Sequence, residues 1–315
     1  MKKKIKELIK SSNSIILLSH ENPDGDAIGS MIGFYHILSN MSKSVDMVSD
    51  RISKRFNCLN GIEKIKPTSN KSYDLGIVLD CATKERIYQE NDIFSRCKQT
   101  ISIDHHGKNT LFSDINYIDG NISSCAQILY YLFKEWNLKI DKNIAESLMT
   151  GLLTDTNGFQ NNNVDKDSYL MAADIVDMGV DVYTLRREVL AKITRPQNDL
   201  MKITLNHLEF YLDNKIAFSY ISKEDMEKSN YEPGDHEGLV DLGRNIEGVE
   251  VSIFMREENG YRISLRSNND VNVCNIAIRL GGNGHKNAAG IYLDKNFKET
   301  KELIINETIK EFNHK

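Results

Sequence analysis

Short apolar runs alternate with amphipathic helical segments in the first half of the chain. The runs at 14–19, 73–79 and 100–103 are almost uninterrupted, which is typical of strands buried on both faces of a parallel sheet. Apolar positions recur at helical spacing over 141–155, and another helix is expected to begin near Ala27. The pattern therefore predicts an α/β domain in which a mostly parallel sheet is flanked by helices.

The hydrophobic pattern changes after residue 212, where strands are predicted close together. Three further strands are predicted, at 215–221, 249–255 and 261–266. Glu258-Asn259-Gly260 has the composition of a hairpin turn between the second and third of these strands. The chain is thus predicted to have three parts, which are an N-terminal domain over 1–185, a helical linker over 186–212 and a smaller α+β domain over 213–315.

Side chains that bind metals follow three of the predicted strands. His20, Asp24 and Asp26 come after the first strand, Asp80 after the second, and Asp104, His105 and His106 after the third. Because the carboxyl ends of the strands in an open α/β sheet share one edge, these groups can converge although they are far apart in sequence. A fourth acidic position, Asp155, ends the predicted helix over 141–155.

The converging groups form a hard, oxygen-rich set of ligands. It consists of the carboxylates of Asp24, Asp26, Asp80 and Asp155 and the imidazoles of His20 and His105. Such ligands suit Mn²⁺ or Mg²⁺ in octahedral coordination, whereas zinc more often takes four ligands. Taken singly, Asp80 has an ordinary explanation as a helix cap and Asp155 as a solvated helix end. Their joint position at one sheet edge instead predicts a site for divalent metal ions.

Composition and charge narrow the class of protein. A chain of 315 residues exceeds the usual size of one hydrophobic core, which favours two domains. The net charge of −5 gives no general reason to bind long duplex nucleic acid. No apolar run approaches the roughly 20 residues of a membrane span, and the start lacks a cleavage site, so we expect a cytoplasmic protein without membrane contact. The five cysteines form no Cys-x-x-Cys pair and are expected to be free thiols.

A glycine-rich segment near the C-terminus is the second candidate for binding chemistry. The backbone N–H groups of Gly282 and Gly284 could cradle a phosphate, because glycine allows a ligand to approach the backbone closely. His285 in this segment and Arg266 on the preceding strand offer a charged clamp. Glycine runs are equally common in ordinary turns, so this segment alone does not define a site.

These motifs resemble those of the DHH phosphoesterase family in order and spacing. The resemblance is carried by 20–30, Asp80, 104–106 and 151–156, and by the glycine-rich segment, which is similar to the G-G-G-H-x-x-A-A-G signature of the accompanying substrate-binding domain. Asn283 and Asn157 each stand where the family commonly has glycine. The resemblance covers about 14–310, and the chain looks most like the bacterial nanoRNase and pAp-phosphatase group.

The resemblance implies a phosphoesterase with two divalent metal ions, for which Mn²⁺ is expected in preference to Mg²⁺. One ion would be held by His20, Asp24 and Asp80, and the other by Asp26, Asp80, His105 and Asp155. Asp104 would orient a histidine, and His106 would act as general acid or orient the phosphate, or else only support His105. A hydroxide activated by both ions would attack phosphorus, with Asp80 as the shared ligand.

The implied substrates are short 5′-phosphorylated oligoribonucleotides (nanoRNA) and 3′-phosphoadenosine 5′-phosphate (pAp), cleaved to nucleoside monophosphates by a homodimer. A phosphodiesterase for pApA or cyclic-di-AMP would use the same residues. A family II pyrophosphatase lacks the glycine-histidine segment, and a RecJ-type exonuclease usually has extra domains. A nucleotide sensor without activity would be favoured by the loss of a metal ligand, and none is lost.

Overall fold

Six parallel strands form the sheet of the N-terminal part of the chain. The structure is a computed structural model that describes residues 1–88, 92–232 and 234–313. The chain divides into a first unit, Met1–Lys192, and a second unit, Ile193–Lys315. The strands of the first unit are β1 (Ser14–Leu18), β2 (Ser44–Val48), β3 (Ile65–Lys66), β4 (Tyr73–Leu79), β5 (Cys97–Asp104) and β6 (Ile115–Ile118). They lie in the order β3-β2-β1-β4-β5-β6, and every neighbouring pair is parallel.

The order of the strands reverses between β1 and β4, at the centre of the sheet. Alternate residues of β1 pack on opposite faces: Ile15 and Leu17 join the large helical core, whereas Ile16 and Leu18 join a smaller cluster with Ile87. Burial on both faces explains the uninterrupted apolar run of this strand. In open α/β sheets such a reversal opens a crevice at the carboxyl ends of the strands. The prediction of a parallel α/β sheet is confirmed.

Six α-helices lie in the described part of the first unit. They are α1 (Lys2–Ser11), α2 (Gly25–Asn40), α3 (Cys125–Glu135), α4 (Lys142–Asp155), α5 (Lys166–Asp177) and α6 (Val182–Arg186), which continues into a π-helical turn over Arg187–Ala191. Side-chain caps fix where several of them begin. Asp24 accepts hydrogen bonds from the N–H groups of Asp26 and Ala27 at the start of α2, and Asp165 and Ser168 form a capping box at the start of α5.

Glycines allow α2 and α4 to pack with their backbones in contact. A Cβ atom at Gly29 would lie 2.3 Å from the carbonyl oxygen of Ser147, and one at Gly25 would lie 2.3 Å from Thr154 Cγ2. On α4, a Cβ at Gly151 would lie 2.6 Å from the Asp26 carboxylate. The start of α2 and the end of α4 are therefore held together at the carboxyl edge of the sheet.

The second unit is built on a mixed sheet. Its strands are β7 (Glu209–Tyr211), β8 (Ile216–Ile221), β9 (Val251–Glu257), β10 (Tyr261–Ser267), β11 (Asn283–His285) and β12 (Ala288–Leu293). They lie in the order β11-β12-β10-β9-β8-β7, and all pairs are antiparallel except β8 with β9. The helices are α7 (Arg195–Asn206), α8 (Lys223–Lys228), α9 (Leu239–Arg244), α10 (Val273–Arg279) and α11 (Phe297–Asn313). The three predicted strands are β8, β9 and β10, and Glu258 and Gly260 close the turn between the last two.

The predicted linker, 186–212, is divided between the two units. Its first residues, up to Lys192, belong to the first unit, and the rest belongs to the second. There Leu200 of α7 is fully buried against Ile221 and Phe254. In the described parts of the chain, no helix is both long enough and apolar enough to span a membrane.

The contact between α2 and α4 leads to a testable prediction. We expect Gly29→Ala to lower the free energy of unfolding by about 1–3 kcal/mol, because the carbonyl of Ser147 cannot move away without shifting α4. The higher helix propensity of alanine alone would raise the free energy of unfolding by about 1 kcal/mol. The sign of the measured change therefore distinguishes the steric effect from the effect of helix propensity. Urea unfolding followed by circular dichroism measures the change. Gly290→Ala is the control, since no atom lies within 4 Å of its added Cβ; equal stability of the two variants would contradict the close packing.

Candidate functional site

His20 lies in the loop after β1, and a backbone contact determines which of its ring nitrogens is free. Its Nδ1 lies 2.9 Å from the carbonyl oxygen of Glu21, which can only accept a hydrogen bond. Nδ1 therefore carries the proton, and Nε2 has the free lone pair. Nε2 lies 3.8 Å from Asp80 Oδ2 and 4.0 Å from Asp24 Oδ1. Ligands about 2.1 Å from one ion lie roughly 3–4 Å apart, so these three side chains are spaced to share a cation.

Asp26 is fully buried between the starts of two helices. One carboxylate oxygen accepts from the N–H of Cys125 at 2.6 Å, and the other accepts from the N–H of Ala126 at 2.9 Å. These donors are the unpaired N–H groups of the first turn of α3, where the helix dipole favours a negative charge. Burial nevertheless raises the pKa of Asp26, and the nearby Asp24 raises it further.

Asp80 differs from the other carboxylates of the site in having a left-handed backbone and a buried oxygen without a hydrogen-bond donor in the described part of the chain. It follows β4 with a left-handed backbone (φ 54°), which its N–H stabilises by donating to the carbonyl of Ile103 at 3.0 Å. Its Oδ1 is buried and accepts no hydrogen bond from the described residues. Burial raises the pKa of Asp80 well above its ordinary value, and the charges of Asp26 and Asp24 add to this effect. A buried acceptor of this kind fits a bound cation.

His105 and His106 follow β5 and point their nitrogens at the carboxylates. His105 Nε2 lies 3.5 Å from Asp80 Oδ1 and 3.7 Å from Asp155 Oδ2, while its Nδ1 lies 3.3 Å from the carbonyl of Ile122. Burial lowers the pKa of His105, but the charges of Asp155 and Asp26 outweigh this effect and leave its pKa raised.

Asp104, the last residue of β5, holds His106 in place. Its Oδ1 lies 2.7 Å from His106 Nδ1, and its Oδ2 accepts from the side-chain amide of Asn109 at 2.7 Å. Burial raises the pKa of Asp104, but the hydrogen bond and charge of His106 lower it by more, so the net shift is downward. Asp104 is thus an ionised carboxylate that orients His106, which lies 3.5 Å from Asp80 Oδ1.

The predicted ligands of the first unit meet in three overlapping groups. Within each group, the candidate ligand atoms lie no more than 4.8 Å apart, and the groups are His20 with Asp24 and Asp80, Asp80 with His105 and His106, and Asp26 with His105 and Asp155. Asp80 and His105 are each shared by two groups. In the part of the chain that the structure describes, these carboxylates form ion pairs only with histidines. The set fits more than one divalent cation, because neither lysine nor arginine balances its charge.

Sequence reasoning missed several residues that support the site. Asn163 donates to the carbonyl and, at 3.3 Å, to the carboxylate of Asp155, and Asn161 donates to the same carbonyl. Asn109 and the N–H groups of Cys125 and Ala126 were also not anticipated. An asparagine in a polar loop and a backbone donor carry no sequence signal of their own, so only the folded chain identifies them.

The glycine-rich segment forms a β-hairpin in the second unit, and its backbone donors are already used. The N–H of Gly282 donates to the carbonyl of Ala277 at 2.7 Å. This hydrogen bond, together with the left-handed backbone of Gly281, ends α10. The N–H of Gly284 donates to the side chain of Asn283 at 2.8 Å. A phosphate would therefore meet side chains before these backbone groups.

Arg266 and His285 are arranged side by side in the same hairpin region. Arg266 of β10 and His285 of β11 are both paired directly with Ala288 of the strand between them. Directly paired residues point to the same face of a sheet, so both side chains project from one face. Burial lowers the pKa of Arg266, and its Nη1 donates to the carbonyl of Leu265 at 3.0 Å. Among the described residues the guanidinium forms no ion pair, so its remaining N–H groups are candidates for binding an anion.

Comparison with known proteins gives consistent matches over the whole chain. The DHH family, N-terminal domain, matches residues 14–152, and the DHHA1 domain matches residues 213–314. The bifunctional oligoribonuclease and PAP phosphatase NrnA of Thermus thermophilus is 28% identical over 96% of this chain and 93% of its own. Its Bacillus subtilis counterpart is 26% identical over 92% of each chain. The crystal structure of an exopolyphosphatase-related protein from Bacteroides fragilis is 27% identical, has a TM-score of 0.91 and covers 98% of this chain and 95% of its own.

The buried carboxylates make stability depend on pH when divalent ions are removed. Burial, together with the charges of Asp26 and Asp24, raises the pKa of Asp155 to about 8, against about 3.9 in an unfolded chain. The folded state therefore keeps a proton that the unfolded state has lost, and stability falls as the pH rises from about 4 to about 8.

In EDTA, we expect the urea concentration at the midpoint of unfolding to fall as the pH is raised from 5 to 8. The fall should be smaller in Asp155→Asn, and adding Mn²⁺ at pH 8 should restore the midpoint. A midpoint that stays level or rises over this range would contradict the raised pKa of Asp155.

Proposed function

Since the chain belongs to the DHH family and is a hydrolase of phosphoric esters, we propose that it cleaves short 5′-phosphorylated oligoribonucleotides and pAp to nucleoside monophosphates. The relatives named as oligoribonuclease and PAP phosphatase, which align over nearly the whole chain, support this choice of substrates. The observation that carries the proposal is that two of the three ligand groups share Asp80, whose buried Oδ1 has no protein donor among the described residues. A homodimer and a cytoplasmic location remain predictions.

Two divalent ions, Mn²⁺ in preference to Mg²⁺, would be held by the converging ligands. His20, Asp24 and Asp80 would hold one ion, and Asp26, Asp80, His105 and Asp155 would hold the other. When bound, such ions lower the pKa of water toward neutrality and neutralise charge on phosphoryl oxygens. The protein contributes the orientation of the ligands: the carbonyl of Glu21 keeps His20 Nε2 free, and the N–H groups of α3 hold Asp26.

His106 is the residue best placed to act on the substrate itself. Its Nδ1 is hydrogen-bonded to the ionised Asp104, which orients the ring. An imidazole can donate a proton to the leaving oxygen or a hydrogen bond to a phosphate oxygen. Asp104 acts through His106, because its hydrogen bond fixes the orientation of the ring.

Arg266 and His285 are proposed to bind a phosphate of the substrate. Both project from one face of the second sheet, on either side of Ala288, and the buried guanidinium of Arg266 gains strength from the low local dielectric. Gly282 and Gly284 would give this phosphate close access to the hairpin, and their N–H groups would become donors only if their present hydrogen bonds opened.

Loss of the shared carboxylate tests the proposed chemistry. We expect Asp80→Asn to lower kcat for pApA and pAp by on the order of 10³-fold or more, because it removes a charge worth several kcal/mol to the transition state. The assay measures release of AMP and inorganic phosphate, with pApA, pAp, cyclic-di-AMP, pyrophosphate and short RNA tested side by side in Mn²⁺.

Asp199→Asn, on the exposed surface of α7, is the matched control. If the protein hydrolyses pyrophosphate and none of the other compounds, the proposed substrates are wrong. Full activity of Asp80→Asn would exclude the proposed metal ligands.

The pair formed by Asp104 and His106 gives a separate prediction. We expect Asp104→Asn to lower kcat about 10–100-fold, because the ring of His106 loses the carboxylate that orients it. The shift of Tm on adding Mn²⁺ should stay within error, because neither residue is a proposed metal ligand. An unchanged kcat would contradict this role of Asp104, and Asp119→Asn serves as the control.

A further inference from the structure

An exposed pair of aromatic rings lies on the segment that follows Asp155. The rings of Phe159 and Tyr169 are stacked, with centroids 5.2 Å apart and planes inclined by only 17°. Phe159 is half-buried and packs on the core of the first unit, whereas Tyr169 on α5 is 57% exposed. The pair therefore presents a flat aromatic surface to solvent on a rigid base.

The backbone that carries Phe159 is held in a conformation that aromatic residues rarely adopt. Asn157, Gly158 and Phe159 have φ angles of 49°, 64° and 69°, three consecutive residues in the left-handed region. Thr156 stabilises this turn, because its hydroxyl accepts from the N–H of Phe159 at 3.1 Å and its carbonyl accepts from the N–H of Gln160 at 2.9 Å. Strain of this kind persists where the position of a side chain is needed for function.

The same turn is bonded to the candidate metal site. Asn161 and Asn163 both donate to the carbonyl of Asp155, and Asn163 also reaches its carboxylate. The aromatic pair is thus fixed to the end of α4 by a run of hydrogen bonds. Packing on the core accounts for the half-buried ring of Phe159 but not for the 57% exposed ring of Tyr169.

We infer that the Phe159–Tyr169 pair is a stacking surface for a base of the nucleotide substrate. The inference rests on the proposed function and adds where a base binds. Every purine and pyrimidine has a flat face that can stack on an aromatic ring, so such a surface favours nucleotides over simple phosphate esters without selecting one base.

Steady-state kinetics with pApA and with the same dinucleotide lacking both bases test the inference. We expect Tyr169→Ala to raise KM for pApA about 10-fold, within the range for loss of one stacked base, and to leave kcat nearly unchanged. KM for the dinucleotide without bases should not change. Tyr169→Phe should restore the wild-type KM, because the ring is retained, and Leu170→Ala, at the neighbouring exposed position, is the matched control.

Each other outcome has a definite meaning. An unchanged KM for pApA in Tyr169→Ala, or an equal rise for both substrates, would overturn the stacking surface while leaving the proposed function intact. A change in molar mass in solution at unchanged KM would make the pair a contact between copies of this chain, which also overturns the inference. If the wild-type protein turns over no nucleotide at all, the proposed function fails first and the inference fails with it.

Discussion

Mutual repulsion among buried carboxylates is the constraint on which this structure depends. Asp26 and Asp80 are almost completely removed from solvent, and this burial raises the pKa of both. The charge of Asp24 raises both further, and the charge of Asp155 adds to the shift of Asp80. Carboxylates in such surroundings become neutral unless positive charge is supplied. The protein supplies only part of it, through histidines and through the N–H groups at the start of α3. Without cations these carboxylates retain protons, so a bound divalent ion would couple metal binding to proton release and to folding.

The sheet explains how residues so far apart in sequence reach one place. The loops after β1, β4 and β5 all leave from the carboxyl edge, beside the reversal of strand order between β1 and β4. Left-handed backbone occurs at several points along the chain, and three of these residues, Asn22, Asp80 and Phe159, follow elements that carry the site. Hydrogen bonds from their N–H groups to Ile103 and Thr156 hold Asp80 and Phe159 in these conformations.

The sequence predicts the elements whose apolar runs end in metal-binding residues. It does not predict the elements and hydrogen bonds that lack such a marker. The strands before His20, Asp80 and Asp104 could be recognised because uninterrupted apolar runs ended in metal-binding residues. In contrast, α3 was not predicted, since Ile128-Leu129-Tyr130-Tyr131 suits a strand as well as a helix. The short edge strand β6 has too few residues for a periodic signal. The donors of Gly282 and Gly284 were expected to be open, and only the fold shows that α10 and Asn283 use them.

The contact of α2 with α4 also restricts which insertions and deletions the chain can accept. Gly151 touches Asp26, and Asp155 follows one helical turn later. One residue added between them would rotate Asp155 by about 100° about the helix axis and move it about 1.5 Å along it. The number of residues from Gly151 to Asp155 therefore has to stay the same for Asp155 to keep its place beside Asp26, whereas the loops between the motifs are under no such constraint.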